Sequence, residues 1–449
     1  MDYDLAVIGS GWAGFNAALR AKAHGLKVAL IERGQLGGTC LNRGCIPTKA
    51  LLQSAKIYTL TKKSKIFGIE TTNPQINFSE IQARKNKIIQ QLRQGMGLML
   101  KGIDFISAEA RILSNNTVEL GHRPEGRGLA SNSQSHRQIN TKFILITTGS
   151  KPLELKDIKF DGGKIISSNE ILDLKEIPKS LLIIGGGVIG CEFASLFSTL
   201  GCLVSIVELM PQLLPGTDKE IAKKLETVFK KKGIKVATNT DAKNLDPSHN
   251  DLVLLCVGRT PVTEDLDLDK LGIKLEKGRI TVDGHLKTNI SNIYAAGDCA
   301  SKTMLAHFAA YQGCIAAENI ADPSHLKNSN DSNIPNCIFT DPEIGSVGLT
   351  QEQAKGKDID IRVHKFDFRA LGMARILDET EGFIKTISDK KTGEILGASI
   401  IGPRATELIG ILTLAIQSRL KVTQVADTIL AHPTLSEGIT SALKEEHGL

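Results

Sequence analysis

The chain has 449 residues, 41% of them hydrophobic and 23% charged, with a formal net charge of +6. That is globular composition with material for several domains. Lysines and arginines are interleaved with acidic residues rather than gathered on one face, and the densest run, Lys62-Lys63-Ser64-Lys65, carries no aromatics and reads as a solvated helix face, so no nucleic-acid partner is expected.

The chain opens Met1-Asp2-Tyr3-Asp4, with no basic leader, and enters an apolar strand at once. The strand Ala6-Val7-Ile8 runs into Gly9-Ser10-Gly11-Trp12-Ala13-Gly14, a helix, and a second strand closed by Glu32. In such a unit the first glycine makes the turn, the second lets backbone approach a pyrophosphate, and the third lets helix pack on strand. The acid ending the second strand accepts ribose hydroxyls.

Next comes Gly37-Gly38-Thr39-Cys40-Leu41-Asn42-Arg43-Gly44-Cys45-Ile46-Pro47-Thr48-Lys49. Two cysteines five apart at the start of a distorted helix bring their sulfurs within bonding reach, and a helix N-terminus favours the thiolate. With no second pair or nearby histidine they do not fill a zinc site. The spacing alone leaves a purely structural pair open. The polar segment 121–140 reads as a loop. After the strand Phe143-Ile144-Leu145-Ile146 comes the glycine turn Thr147-Thr148-Gly149-Ser150.

The nucleotide unit then recurs. Leu182-Ile183-Ile184-Gly185-Gly186-Gly187-Val188-Ile189-Gly190 repeats the first at a constant offset, since 185 − 9, 190 − 14 and 208 − 32 all give 176. Gly185, Gly187, Gly190 and Glu208 therefore stand for Gly9, Gly11, Gly14 and Glu32. The most apolar stretch, 181–200, holds Glu192 and four glycines, and reads as buried strand, turn and helix instead of a membrane span. Two such units in register point to two dinucleotide sites. The strand Leu252 to Val257 ends in Gly258-Arg259-Thr260-Pro261, and Ile293-Tyr294-Ala295-Ala296 ends in Gly297-Asp298. Thr148, Gly149, Gly258 and Gly297 count with the cofactor-binding positions, and Asp298 suits a ribityl hydroxyl. One domain is thus inserted into another.

In the last third, segments at 337–339, 361–364, 382–387 and 395–398 read as strands of an antiparallel sheet, and 407–419 as a helix. The expected fold is α/β, two Rossmann-like dinucleotide-binding domains followed by a C-terminal α+β domain. The six cysteines at 191, 202, 256, 299, 314 and 337 stand singly and read as buried packing residues.

The segment 37–49 resembles the active-site signature of the class I pyridine nucleotide–disulfide oxidoreductases, in particular the branch that oxidises dihydrolipoyl groups. Further matching segments are 303–307, 380–385, 402–409 and 431–437. The resemblance implies FAD on residues 1–150 and 271–333, NAD on 151–270, and a dimerisation domain over 334–449. Gly9, Gly11, Gly14 and Glu32 would hold the adenosine end of FAD, with Thr39 also at the cofactor. Lys49, paired with Glu192, would lie near the flavin, lined by Asp298 and by Met304, Leu305, Ala306 and His307. Gly185, Gly187, Gly190 and Glu208 would hold NAD. A carboxylate with no adjacent arginine disfavours a 2′-phosphate, hence NAD over NADP. Cys40 would exchange with substrate, Cys45 would face the flavin, and His432, oriented by Glu437, would act as acid/base from the other subunit of a homodimer.

The implied reaction is oxidation of a dihydrolipoyl group on a separate carrier chain of a 2-oxoacid dehydrogenase or glycine cleavage complex, in the cytoplasm. The alternatives are another FAD-dependent disulfide or mercuric-type reductase, and a structural flavoprotein subunit of a dehydrogenase complex. Three features depart from the family pattern. The stretch 233–256 is short, Ala108 and Ala110 replace glycines, and Arg43 replaces a small apolar residue.

Overall fold

The computed structural model describes residues 1–121, 137–244 and 249–444. The chain forms two compact units, one of residues 1–50, 80–153 and 258–331, the other of residues 51–79, 154–257 and 332–449.

The first unit is built on a parallel sheet whose central strands, Tyr3–Ile8 and Val28–Glu32, are apolar on both faces, as strands covered on both sides must be. Its order is Asp104–Ser107, Val28–Glu32, Tyr3–Ile8, Arg137–Ile146, Ile293–Ala295. Leu5, Val7, Leu30 and Ile144 are fully buried within it. Arg137–Ile146 changes partner along its length: residues 141–146 join the parallel sheet, while 137–140 pair antiparallel with Thr117–Gly121. The segment 121–140, expected as a loop, is therefore strand at both ends. Ile139 is 1% exposed there, and ladder pairing overrides the polar composition. Residues 122–136 lie outside the described residues.

Helix Trp12–Ala23 packs on helix Ala306–Ala321 so closely that a Cβ on Gly313 would sit 2.1 Å from the Ala13 carbonyl oxygen. The chain re-enters this unit at Gly258, earlier than the expected 271. Arg259–Pro261 pairs antiparallel with Ser150–Pro152, and Leu266, Leu268 and Ile273 fill the core with Ile112 and Val118.

The second unit holds a parallel sheet ordered Lys235–Ala237, Leu203–Val207, Ser180–Ile184, Leu252–Leu255, Ile165–Ile166. Among the described residues no strand stands between Ala237 and Leu252, in line with the short 233–256 stretch. The same unit carries an antiparallel sheet ordered Asn336–Ile338, Glu343–Gly348, Ile395–Gly402, Phe383–Asp389, Ile361–Asp367. The strand Glu343–Gly348 escapes the sequence pattern because glycines interrupt it. A Cβ on Gly345 would lie 2.5 Å from the Ala405 carbonyl oxygen, where helix Ala405–Gln417 lies directly on the sheet. That helix starts and ends two residues before the expected 407–419.

Candidate active site

The two cysteines straddle a helix break. Cys40 lies in the short helix Gly38–Arg43, and Cys45 begins the 18-residue helix Cys45–Lys62. Gly44 makes the break, with φ −152° and ψ −112°. A side chain there would crowd the Thr39 carbonyl at 3.0 Å and the Cys40 Cα at 3.3 Å. Thr48 donates its hydroxyl to the Gly44 carbonyl at 2.7 Å and closes the first turn of the second helix.

The break brings the two thiols into hydrogen-bond contact. That bond, and then burial, push the Cys40 thiol well above its ordinary range, while Trp12 and Lys49 draw it down. Cys45 opens the longer helix, and Cys40 lies in the first turn of the shorter one. The pair is pinned from beneath. Asn42 donates to the Leu36 and Gly38 carbonyls at 3.0 and 2.9 Å, and accepts from Arg93 of helix Phe78–Met99 at 2.7 Å. Sequence spacing carries no sign of Arg93, which lies 51 residues from Asn42. Thr39 and Arg43 are exposed, and Lys49 is half-buried.

The 176-residue repeat persists down to individual hydrogen bonds. Glu32 accepts the Ser10 N–H at 2.8 Å and the Gly34 N–H at 2.6 Å. Glu208 accepts the Gly186 N–H at 2.6 Å and the Met210 N–H at 2.8 Å. Each acid therefore ties the second strand to its glycine turn. Ribose binding is accordingly not the only part expected of these acids, since each also holds its own turn in place. The third glycines allow no side chain, because a Cβ on Gly14 would stand 1.9 Å from the Gly9 carbonyl oxygen, and one on Gly190 2.0 Å from that of Gly185. Gly9 and Gly185 turn through φ +104° and +111°. Gly11 and Gly187, in contrast, face open space, and neither helix that follows has a side-chain cap. Uncapped N–H groups behind an open turn suit a pyrophosphate at each site.

At the third strand the offset changes. Thr147 donates its hydroxyl to the Gly9 carbonyl at 2.9 Å, and Cys256 its thiol to the Gly185 carbonyl at 3.4 Å, with 256 − 147 giving 109. Gly149 and Gly258 keep that offset, with φ +76° and +137°. The first unit is thus 67 residues longer between second and third strands, since 176 − 109 is 67. That insertion carries the cysteine helices and Phe78–Met99.

Asp298 accepts a hydrogen bond from the Ser150 hydroxyl at 2.5 Å, beside Gly297 with φ +76°. Arg259 donates to Ser150 Oγ at 2.8 Å and to the Ser150 carbonyl at 2.7 Å. Burial lowers the Arg259 pKa, while Asp298 and the Cys45 sulfur favour its charge. The glycine turn by itself gives no sign of the Arg259 hold on Ser150, which appears only once residues 109 apart meet. Met304 and Leu305 lead into helix Ala306–Ala321, and His307, on its first turn, is exposed.

In the second unit Glu192 is 4% exposed and accepts the Phe339 N–H at 2.9 Å. His432 is 81% exposed, its Nδ1 2.8 Å from Glu437 Oε1. Glu437 Oε2 accepts the Thr434 N–H at 2.7 Å. The Thr434 N–H and then His432 hold the Glu437 carboxyl below its usual range.

The other cysteines split. Cys191, Cys202 and Cys299 are buried as expected, whereas Cys256, Cys314 and Cys337 are only partly so. Burial pushes Cys202 and Cys256 up to about 12 and Cys299 to about 11, which keeps them protonated and unreactive at neutral pH. Among the described residues no cluster of His, Cys, Asp and Glu is placed to hold a metal ion, and no helix is long and apolar enough to cross a membrane.

A thiol pair set against one of two dinucleotide turns defines a disulfide oxidoreductase. Residues 3–313 match the family described as pyridine nucleotide-disulphide oxidoreductase, and residues 334–443 match its dimerisation domain. A dihydrolipoyl dehydrogenase of Chlamydia trachomatis is 39% identical over 454 residues, covering 97% of this chain and 95% of that protein. One of Bacillus subtilis is 38% identical over 464 residues, covering 99% of both. The solved HOCl-induced flavoprotein disulfide reductase RclA from Escherichia coli aligns with a TM-score of 0.85 at 29% identity, covering 99% of this chain and 100% of that one. LpdA from Mycobacterium tuberculosis aligns with a TM-score of 0.89 at 26% identity, covering 98% and 99%. The chain belongs to the pyridine nucleotide-disulphide oxidoreductases. Its cofactors are FAD and NAD, and it carries the family's dimerisation domain.

Proposed function

We propose that this enzyme oxidises dihydrolipoyl groups on a carrier protein and reduces NAD+, the activity named for its curated relatives. One observation carries the reading: the free Cys40 and Cys45 thiols face each other in hydrogen-bond contact across the Gly44 break, on residues packed against the first glycine turn. Residues 1–150 and 258–333 hold FAD, 151–257 hold NAD, and 334–449 form the homodimer. Gly9, Gly11, Gly14 and Glu32 receive the adenosine half of FAD, and Lys49, Asp298 and residues 304–307 line the flavin. Gly185, Gly187, Gly190 and Glu208 receive NAD, where the buried carboxylate disfavours a 2′-phosphate.

His432, supplied by the second copy and oriented by Glu437, takes a proton from the first substrate thiol. The resulting thiolate attacks Cys40; the Cys40–Cys45 bond breaks and its electron pair stays on Cys45. The second substrate thiol, losing its proton, attacks the substrate sulfur bound to Cys40, closes the substrate disulfide and releases Cys40 as thiolate. Two protons leave the substrate, and two electrons rest on the cysteine pair. FAD, when bound, would supply the acceptor for that electron pair and the route to NAD+ as hydride, leaving Cys40 and Cys45 as the disulfide. The carrier is a separate chain bearing a lipoyl group, and a reaction drawing on NAD+ and such carriers fits the cytoplasm.

The test is NADH-dependent reduction of lipoamide by the purified holoenzyme, set beside glutathione disulfide and mercuric ion. Turnover at least tenfold faster with lipoamide supports the reading (roughly 1.4 kcal/mol in transition-state binding). Preference for either of the others overturns it.

A further inference from the structure

The chain leaves the first unit through Ser150–Pro152 and returns to it through Arg259–Pro261, and the two strands pair antiparallel. Backbone bonds close the crossing: Val262 N–H donates to the Gly149 carbonyl at 3.0 Å, and Leu153 N–H to the Gly258 carbonyl at 3.1 Å. Ladder register sets Arg259 opposite Pro152, yet its side chain reaches back to Ser150. Nε donates to Ser150 Oγ at 2.8 Å, and Nη2 to the Ser150 carbonyl at 2.7 Å. Two bonds to one residue fix both the position and the rotation of the planar guanidinium.

The third member is Asp298, whose Oδ2 lies 2.5 Å from Ser150 Oγ. Donor counting settles the direction of both bonds. A guanidinium only donates, an ionised carboxylate only accepts, and a hydroxyl has one proton to give. Ser150, 8% exposed, therefore accepts from Arg259 and donates to Asp298. The backbone at Asp298 is set separately. Gly297, at φ +76°, donates its N–H to Gln312 Oε1 at 3.0 Å, and a Cβ on it would stand 3.1 Å from Ala13 Cβ. Helix packing thus places the main chain, while Ser150 sets the rotation of the carboxylate. One oxygen is committed to the protein and the other is left for the cofactor.

We propose that Arg259 is a positioning residue for FAD: acting through Ser150, it holds Asp298 in the rotation that receives a ribityl hydroxyl. The inference rests on the reading of Asp298 as a residue of the FAD site. Ser150 does not suffice alone. A hydroxyl left to itself rotates and offers its proton to any nearby acceptor. With the guanidinium on its oxygen, the proton is directed at Asp298. The hold on the cofactor therefore depends on the returning strand, which supplies Arg259 from 109 residues beyond Ser150.

The test is the FAD dissociation constant of the holoenzyme, read from flavin fluorescence on serial dilution. Arg259→Lys keeps the charge but loses the planar fork that bonds both Ser150 oxygens. Arg259→Lys and Ser150→Ala should each raise the constant about tenfold. Ser150→Thr, which retains the hydroxyl, should stay near the native value. The double variant Arg259→Lys with Ser150→Ala should bind FAD about as well as either single one, because both break the same relay. Native affinity in Arg259→Lys or in Ser150→Ala overturns the proposal, and so does a multiplied loss of about a hundredfold in the double variant. Should Arg259→Lys fail to fold, Ser150→Ala against Ser150→Thr decides, and equal constants for those two overturn the proposal. Native affinity in Asp298→Asn would instead remove the reading of Asp298 on which the inference rests.

Discussion

Lys385 and Asp218 meet at 2.9 Å with both side chains 2% exposed. Lys385 stands in the middle of strand Phe383–Asp389, and Asp218 caps helix Lys219–Lys231, accepting the Glu220 N–H at 3.0 Å. Glu220 adds a second carboxylate oxygen at 2.7 Å. Hydrophobic patterning gives no reason for a lysine at this buried position, and the two acids that neutralise it are 167 and 165 residues away, since 385 − 218 is 167 and 385 − 220 is 165.

Removing one partner leaves the other charge buried, which costs about 3–5 kcal/mol. Lys385→Met should lower the urea midpoint accordingly, and adding Asp218→Asn should restore part of the loss. Burial opposes the Lys385 charge, but Glu220 and Asp218 outweigh it and raise its pKa. Its contribution is therefore complete below about pH 10.4 and lost as pH climbs through the raised value. Glu220 is held low first by Lys365 and then by Lys385. Its contribution is present above about pH 4.3 and lost as pH falls through the lowered value. Urea midpoints measured across pH should show both limbs in the native chain. In Lys385→Met the alkaline limb should shrink by the Lys385 share, the part set by the raised Cys202, Cys256 and Cys299 thiols remaining.

The third glycines of the two turns separate the two cofactors. Gly14→Ala places a methyl 1.9 Å from a carbonyl oxygen in the first turn, and Gly190→Ala one 2.0 Å away in the second. Gly14→Ala should yield protein without flavin absorbance. Gly190→Ala should remain yellow, yet bleach with NADH at least about tenfold more slowly, a barrier increase of about 1.4 kcal/mol. A Gly190→Ala protein reduced at the native rate would remove NAD from the second turn.

Cys45→Ser should abolish lipoamide turnover while leaving bound flavin in place, because the electron pair released from the substrate then has no second sulfur to rest on. Steady-state assay with lipoamide and NADH reads this directly, and undiminished turnover would dismiss the disulfide relay.

Glu437→Gln keeps the shape of the group that holds His432 Nδ1 and removes its charge, so lipoamide turnover should fall about 10²-fold. Glu437 is held low by the Thr434 N–H and His432, so it stays ionised at every pH above the ordinary carboxylate range. The acid limb of the native pH profile should therefore not follow Glu437. Turnover of the variant should stay depressed across the whole neutral range, instead of recovering at high pH.

The two nucleotide units and the cysteine pair could be read directly from the chain, because each depends on residues within about thirty positions. A turn needs its glycines in order, and an acid ending the next strand is set by helix length. The antiparallel C-terminal sheet was also readable, apart from Glu343–Gly348, whose glycines answer to a helix lying on them and break the apolar alternation. Local composition misled at 137–140, where polar residues pair as strand. It also missed the return at Gly258, since that boundary is set by a strand pair closing on Ser150–Pro152.

What sequence alone determined is the chemistry: a dithiol, two dinucleotide turns, a histidine with its carboxylate. Tertiary structure decided how that chemistry is tuned. Gly38 packs against Gly11, Arg93 reaches Asn42, and Arg259 reaches Ser150, which donates to Asp298. The last two link residues dozens to more than a hundred positions apart, and the first joins segments that only the fold brings together. Such encounters leave no periodicity in the chain, because they are fixed by packing between elements whose spacing in sequence is arbitrary.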